Sequence, residues 1–228
     1  MQIAATLEDA RVSEHAGSAT AEGTRNGIAL HVEWRRRSKA SVWTVTSTGT
    51  WPRLLADVRR RTVGERGAIA SGAIAQLLTG DEAFDREWLL EAAPRARALL
   101  VFDEGVRRAI GAARVMSVDI DEGKVLAGVN GSHFNAADVI VGIEAVVALR
   151  LRLDALATSS ASSASSTSTS DEQAEIAEIA SLRAKQDKIW ARLSVPARIL
   201  AVAGGAVLAA ALFSGVFYGC GINTLFEK

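Results

Sequence analysis

The chain has 228 residues, room for one domain of ordinary size plus a tail, and its 26 Lys and Arg balance 26 Asp and Glu. The balance is local as well, since residues 1–156 hold 20 of each sign; a dedicated nucleic-acid binder concentrates positive charge, so no nucleic-acid partner is expected. The single cysteine, Cys220, excludes an internal disulfide and a multi-cysteine zinc site. Arg outnumbers Lys 21 to 5 and Ala supplies 42 residues, a usage associated with GC-rich bacterial coding.

Residues 1–22 alternate weakly and predict at best one or two short strands. Residues 1–11 have neither a basic start nor an apolar core, so no secretory signal is expected there. Gly23, Thr24, Arg25, Asn26 and Gly27 signal a turn. After it Ile28, Leu30, Val32 and Trp34 alternate with Ala29, His31, Glu33 and Arg35, the period of a strand with one buried face. A polar break at 36–39 leads to a second strand at about 41–47, and the two read as a hairpin. Residues 53–60 alternate again, with Leu54, Ala56 and Val58 on one face of a third strand. His31 falls on the solvent side of its strand beside Glu33, as an exposed surface histidine. Two arginine runs, 35–37 and 59–61, would meet anionic lipid if they shared a membrane-facing surface; solvated strand ends are the ordinary expectation.

Residues 64–78 are Gly- and Ala-rich and give a loop or short helix. Thr79, Gly80, Asp81, Phe84 and Asp85 then precede a strand at 88–90, and Pro94 suits the first turn of a helix. Asp103 can cap a helix over 104–113 whose Val106, Ile110 and Ala113 share a face. Residues 115–120 and 124–129 form a second hairpin pattern around Asp121, Glu122 and Gly123. Asn135 can cap a helix reaching about 156, with Val139, Ile140, Ile143, Val146, Val147 and Leu151 as its apolar stripe. Laid across a sheet face, that helix gives residues 1–156 an α+β fold of antiparallel strands with a few packing helices.

Residues 157–170 are Ser, Thr and Ala, a composition predicting a flexible linker. Residues 171–195 return to strong helix formers, acids first and bases last, as the helix dipole prefers. Ile179, Leu182, Ile189 and Leu193 keep a 3-4 spacing that Gln186 interrupts, so a short dimerising coil and a solvated stalk helix both fit. Ser194 and Pro196 start a new helix, 196–222, followed by a short tail, 223–228.

Within it, residues 199–222 contain no Asp, Glu, Lys, Arg or His. A helix of that length is roughly 36 Å long against the ~30 Å hydrocarbon layer, so a transmembrane helix is expected, with the lipid bilayer as partner through 199–222. Arg183, Lys185, Lys188, Arg192 and Arg198 precede it and only Lys228 follows, an asymmetry that puts the amino-terminal domain in the cytoplasm. The expected topology is tail-anchored and single-pass, in a bacterial inner membrane. Gly215 and Gly219, with Ala211 before them, form a small-residue face at the spacing that lets two membrane helices approach, so a homo-oligomer through that face or the stalk is a further expectation. Cys220 reads as a packed membrane thiol.

Candidate chemistry is thin. Asp119 and Asp121 share a strand face, as a divalent cation would need, but Lys124 and Asn130 stand where a calcium loop has Gly and Glu, and a polar hairpin turn explains the acids. Asp81, Asp85 and His133 would form an acid–base set only if the fold converged them; capping and turn roles are the simpler reading. No nucleophile elbow, phosphate loop, dinucleotide fingerprint or zinc-protease helix occurs. No catalytic residue, cofactor or metal site is assigned.

The run Thr79, Gly80, Asp81, Phe84, Asp85, followed by a strand, Leu99 and Leu100, and a helix bearing Val106 and Arg107, resembles a t-G-D-x-x-F-D pattern of uncharacterised membrane-attached bacterial proteins. The likeness spans residues 72–156 and implies a membrane-attached domain without a catalytic residue; here the apolar segment follows the domain rather than preceding it. The function expected is protein interaction or self-assembly at the membrane. The alternatives are a membrane-tethered hydrolase or metal-dependent enzyme using Asp81, Asp85 or His133, and an anionic-lipid sensor using the arginine runs.

Overall fold

The computed structural model describes residues 3–37, 40–62, 69, 76–113, 117–131, 136–162 and 170–192. The expected membrane helix with Gly215 and Gly219, the caps at Asn135 and Ser194, and His133 lie outside them. Among the described residues no helix is long and apolar enough to cross a membrane.

Eight strands form one antiparallel sheet: β1 Glu8–His15, β2 Ser18–Arg25, β3 Ile28–Arg37, β4 Ala40–Thr48, β5 Leu55–Arg60, β6 Trp88–Ala93, β7 Ser117–Asp121 and β8 Lys124–Gly131, in the order β1-β2-β3-β4-β8-β7-β5-β6. The helices are α1 Glu82–Glu87, α2 Arg95–Val101, α3 Glu104–Ala112, α4 Ala136–Ser162 and α5 Ser170–Arg192, after a 3₁₀ turn at Ala4–Thr6. The α+β class and the antiparallel pairing agree with the sequence reading.

The β2–β3 hairpin shows how local chemistry sets the register. Asn26 and Gly27 both have positive φ, as a two-residue turn matched to strand twist requires, so the turn is confined to those two residues. Gly23, Thr24 and Arg25, expected in the turn, continue β2 and pair with Leu30, Ala29 and Ile28. Residues 8–25 thus form two full strands, more than their weak alternation predicts.

Cross-strand partners trace one apolar row over the whole sheet: Val12, Ala21, Val32, Val45, Ala127, Val118, Val58 and Leu90. From Ala21 onward each is buried; Val12, in the edge strand, is 52% exposed. This face carries α4, which packs on β3, β4 and β8 and against α3. Leu54, Ala56 and Val58 join the core as expected, and so do Val106, Ile110 and Ala113.

On α4, Val139, Ile143, Val146 and Val147 are buried, but Leu151 is half exposed. The stripe continues at three- and four-residue steps through Leu149, Arg150 and Leu153, which turns Leu151 outward. Helix α4 reaches Ser162, beyond the predicted start of the linker; the Thr158 and Ser159 hydroxyls donate to the Asp154 and Leu156 carbonyls, so these polar side chains are satisfied within the helix.

The chain divides into two compact units, Met1–Arg60 with Leu77–Ile179, and Arg61–Gln76 with Ala180–Lys228. Within the second, the Arg61 guanidinium donates to the Gln76 side chain. Within the first, the leading part of α5 is docked: Ile176 is buried against Leu55 and Ala93, with Ile179 beside them. Arg97 pairs with Glu172 at 3.1 Å, and Glu175 accepts from the Arg95 N–H at 2.9 Å. Pro94, at the N-cap of α2, offers no side-chain acceptor, so Glu175 serves as a cap supplied from another helix.

Candidate functional site

The face of the sheet opposite α4 is polar. One row of cross-strand partners reads Arg11, Glu22, His31, Thr46, Leu126, Asp119, Asp57 and Glu91; the next, toward the other strand ends, contains Ser13, Thr20, Glu33, Thr44, Gly128, Ser117, Arg59 and Leu89. At the β5–β6 end this face meets α5 through Leu55 and Ala93. Over β1 to β4 and the adjoining β8 it holds two shallow depressions of about 380 and 350 Å³ that share His31 and Thr46. Thr24 and Thr48 line the first, and Thr44, Glu33, Arg35 and Lys124 the second.

His31 lies on this face as expected, where its Nδ1 is 3.0 Å from Glu22 Oε1 rather than bonded to the neighbouring Glu33. Glu33 pairs with Arg35. Hydroxyls, one imidazole and charges of both signs can form hydrogen bonds with a polar partner surface.

Asp57 faces Glu91 on one side and Asp119 on the other, directly across neighbouring strands. Three carboxylates in one row repel, and Arg59 between Asp57 and Glu91 offsets this by pairing with both. Asp119 and Asp121 share a face of β7 as predicted, yet among the described residues no three of His, Cys, Asp or Glu converge as a metal site.

The two arginine runs emerge at the same end of the sheet, because β3 and β5 run in the same direction four strand spacings apart, about 19 Å. Three of the six are answered by acids: Arg35 by Glu33, Arg59 by Asp57 and Glu91, and Arg60 by Glu87 at 2.6 Å. Arg60 also stacks over the Trp88 ring at 5.5 Å.

Asp81 and Asp85 sit in one loop-to-helix junction and are occupied by backbone. Asp81 caps α1, accepting from the Ala83 and Phe84 N–H groups at 3.1 Å, and pairs with Arg107 at 3.3 Å. The Phe84 N–H above all, and then Arg107, hold its carboxyl below the ordinary value of 3.8 against partial desolvation. Asp85, buried, accepts from the Thr79 N–H and hydroxyl at 3.0 and 2.9 Å and from the Gly80 N–H at 3.1 Å. Phe84 stacks on Trp88 at 6.0 Å. The Thr79 to Asp85 motif is therefore a staple that fixes the entry to α1.

A polar cluster that sequence patterning missed lies below Trp51. Arg150 is 9% exposed at its side chain, pairs with Asp154 at 2.6 Å and stacks on the Trp51 ring at 4.8 Å. Gly49 makes this possible, since a Cβ there would collide with the guanidinium. The Arg150 Nε and Trp51 Nε1 donors are buried without an acceptor among the described residues. An Arg within an apolar helical stripe carries no sequence signal for such a role.

No protein-family model matches the chain, and no curated protein matches it significantly. Among solved structures it is similar to the crystal structure of the mycobacterial trehalose monomycolate transport factor A, TtfA, at 12% sequence identity and a TM-score of 0.41, over 65% of this chain and 76% of that one.

Proposed function

We propose that the chain is a single-pass, tail-anchored membrane protein whose α+β domain acts on the cytoplasmic side as an interaction module, contacting other proteins or further copies of itself. The anchor would be residues 199–222, whose lack of charge and basic amino-terminal flank support that orientation. The observation that carries the interaction reading is the polar sheet face over β1 to β4, which presents hydrogen-bonding groups at regular spacing beside an edge strand exposed at every residue. Kinship with the membrane-attached bacterial proteins that share the Thr79 to Asp85 pattern belongs to the same proposal.

The test is crosslinking in native membranes after alkaline washing. The chain is expected to stay in the washed membrane fraction and to appear in species larger than the monomer. Recovery in the soluble fraction would remove the anchor, and a lone monomer under every crosslinking condition would remove the interaction role.

A further inference from the structure

Strand β1 is an edge, with β2 on one side and no strand on the other among the described residues. Such an edge presents unpaired N–H and C=O groups, a template for a further strand. A bulge between Glu8 and Arg11, with Asp9 at positive φ, interrupts its first part, but Arg11 to His15 pair regularly with Glu22 to Ser18. The opposite edge differs: Leu77 donates to the Leu90 carbonyl of β6, and Ile176 covers Ala93.

Two observations identify the strand that would fit. First, the apolar row that crosses all eight strands is buried at every position except its last, Val12, so the core is unfinished at this edge alone along that row. Second, symmetry restricts the ways β1 can meet a copy of itself. Facing residues of antiparallel strands project to the same side, so a two-fold axis normal to the sheet requires one residue to face its own copy. Centring on Arg11, Glu14 or His15 opposes like groups, and centring on Ser13 sets Arg11 against His15. Centring on Val12 faces Val12 with Val12, Arg11 with Ser13 and Ala10 with Glu14, opposing no like charges.

We infer that β1 pairs antiparallel with β1 of a second copy in the Val12-centred register, joining two sheets and continuing the buried row from one domain into the next. This deepens the interaction reading by naming the partner as the chain itself. A short strand edge is a smaller contact than the ~1,200 Å² or more typical of stable complexes, and confinement of both copies to one membrane would raise their effective concentration.

The test uses the full chain in membranes, with Cys220→Ser removing the native thiol. Val12→Cys is expected to give an oxidatively crosslinked dimer, lost when the protein is unfolded before oxidation. Ala10→Cys, four residues from its own copy in this register, is expected to give little. Val12→Lys, at an exposed position, should keep the melting temperature and weaken dimer formation about tenfold or more by setting two ammonium groups opposite one another. Equal crosslinking at 10 and 12, or a dimer unmoved by Val12→Lys, would overturn the inference, as would a monomer whose edge pairs only with another protein. Membrane fractionation of the same samples reports the anchor separately: a soluble chain that crosslinks through residue 12 keeps the edge and loses the tether, and a membrane-bound chain that does not crosslink keeps the tether and loses the edge.

Discussion

Asp85 accepts from two backbone N–H groups and a hydroxyl, so its carboxylate replaces the water that Thr79 and Gly80 would otherwise bind. Asp85→Ala takes the buried acceptor away from those part-buried donors and is expected to cost about 1–3 kcal/mol, read as a lower urea midpoint at unchanged slope. Asp81 carries a pH dependence. Asp81→Asn keeps an oxygen for the Ala83 and Phe84 N–H groups but has no charge for Arg107. Because the folded pKa lies below the ordinary 3.8, the carboxylate's stabilisation is complete above the unfolded value and is lost as pH falls through the folded one. Wild type is therefore expected to melt above Asp81→Asn at neutral pH, the gap closing below pH 3.8 in a series of thermal melts. Both acids were legible as turn and cap residues; the partnership of Asp81 with Arg107, 26 positions away, was not, because only the fold brings Arg107 of α3 to the N-cap of α1.

At the scale of elements, strands with one buried face were readable because alternate residues differ in polarity: β3 and β5 show this, and so does the buried side of α3. Strand β1 shows no such contrast, since every residue in it is exposed, and an edge strand of that kind leaves no periodic mark on the sequence. The polar rows were equally hidden. His31 was recognisable as a surface residue, but its company with Glu22 and Thr46 exists only once β2, β3 and β4 adopt their register. Helix α5 gave a 3-4 pattern without saying what it touches. Its contact is Ile176 on Leu55 and Ala93, and Ile176→Ala is expected to destabilise the domain by about 2–3 kcal/mol in denaturant unfolding, with the loss of a buried side chain as its cause.

Over the whole molecule, equal numbers of acids and bases become a set of short-range pairs, with Arg25 on Glu144, Arg53 on Glu122 and Arg152 on Asp103 joining those already described. Exposed pairs of this kind are screened by salt and contribute little each, so added salt is expected to move the melting temperature far less than Ile176→Ala does. Composition marks the end of the folded part near Leu156, yet α5 supplies a cap and an apolar side chain to it from residues 172–179. A chain cut at Leu156 would leave Leu55 and Ala93 wet and the Arg95 amide unclaimed. Under the tether proposed above, tension along α5 would reach the sheet through Glu172, Glu175 and Ile176; the segment that follows the domain is also part of its wall, and load on it would loosen that wall.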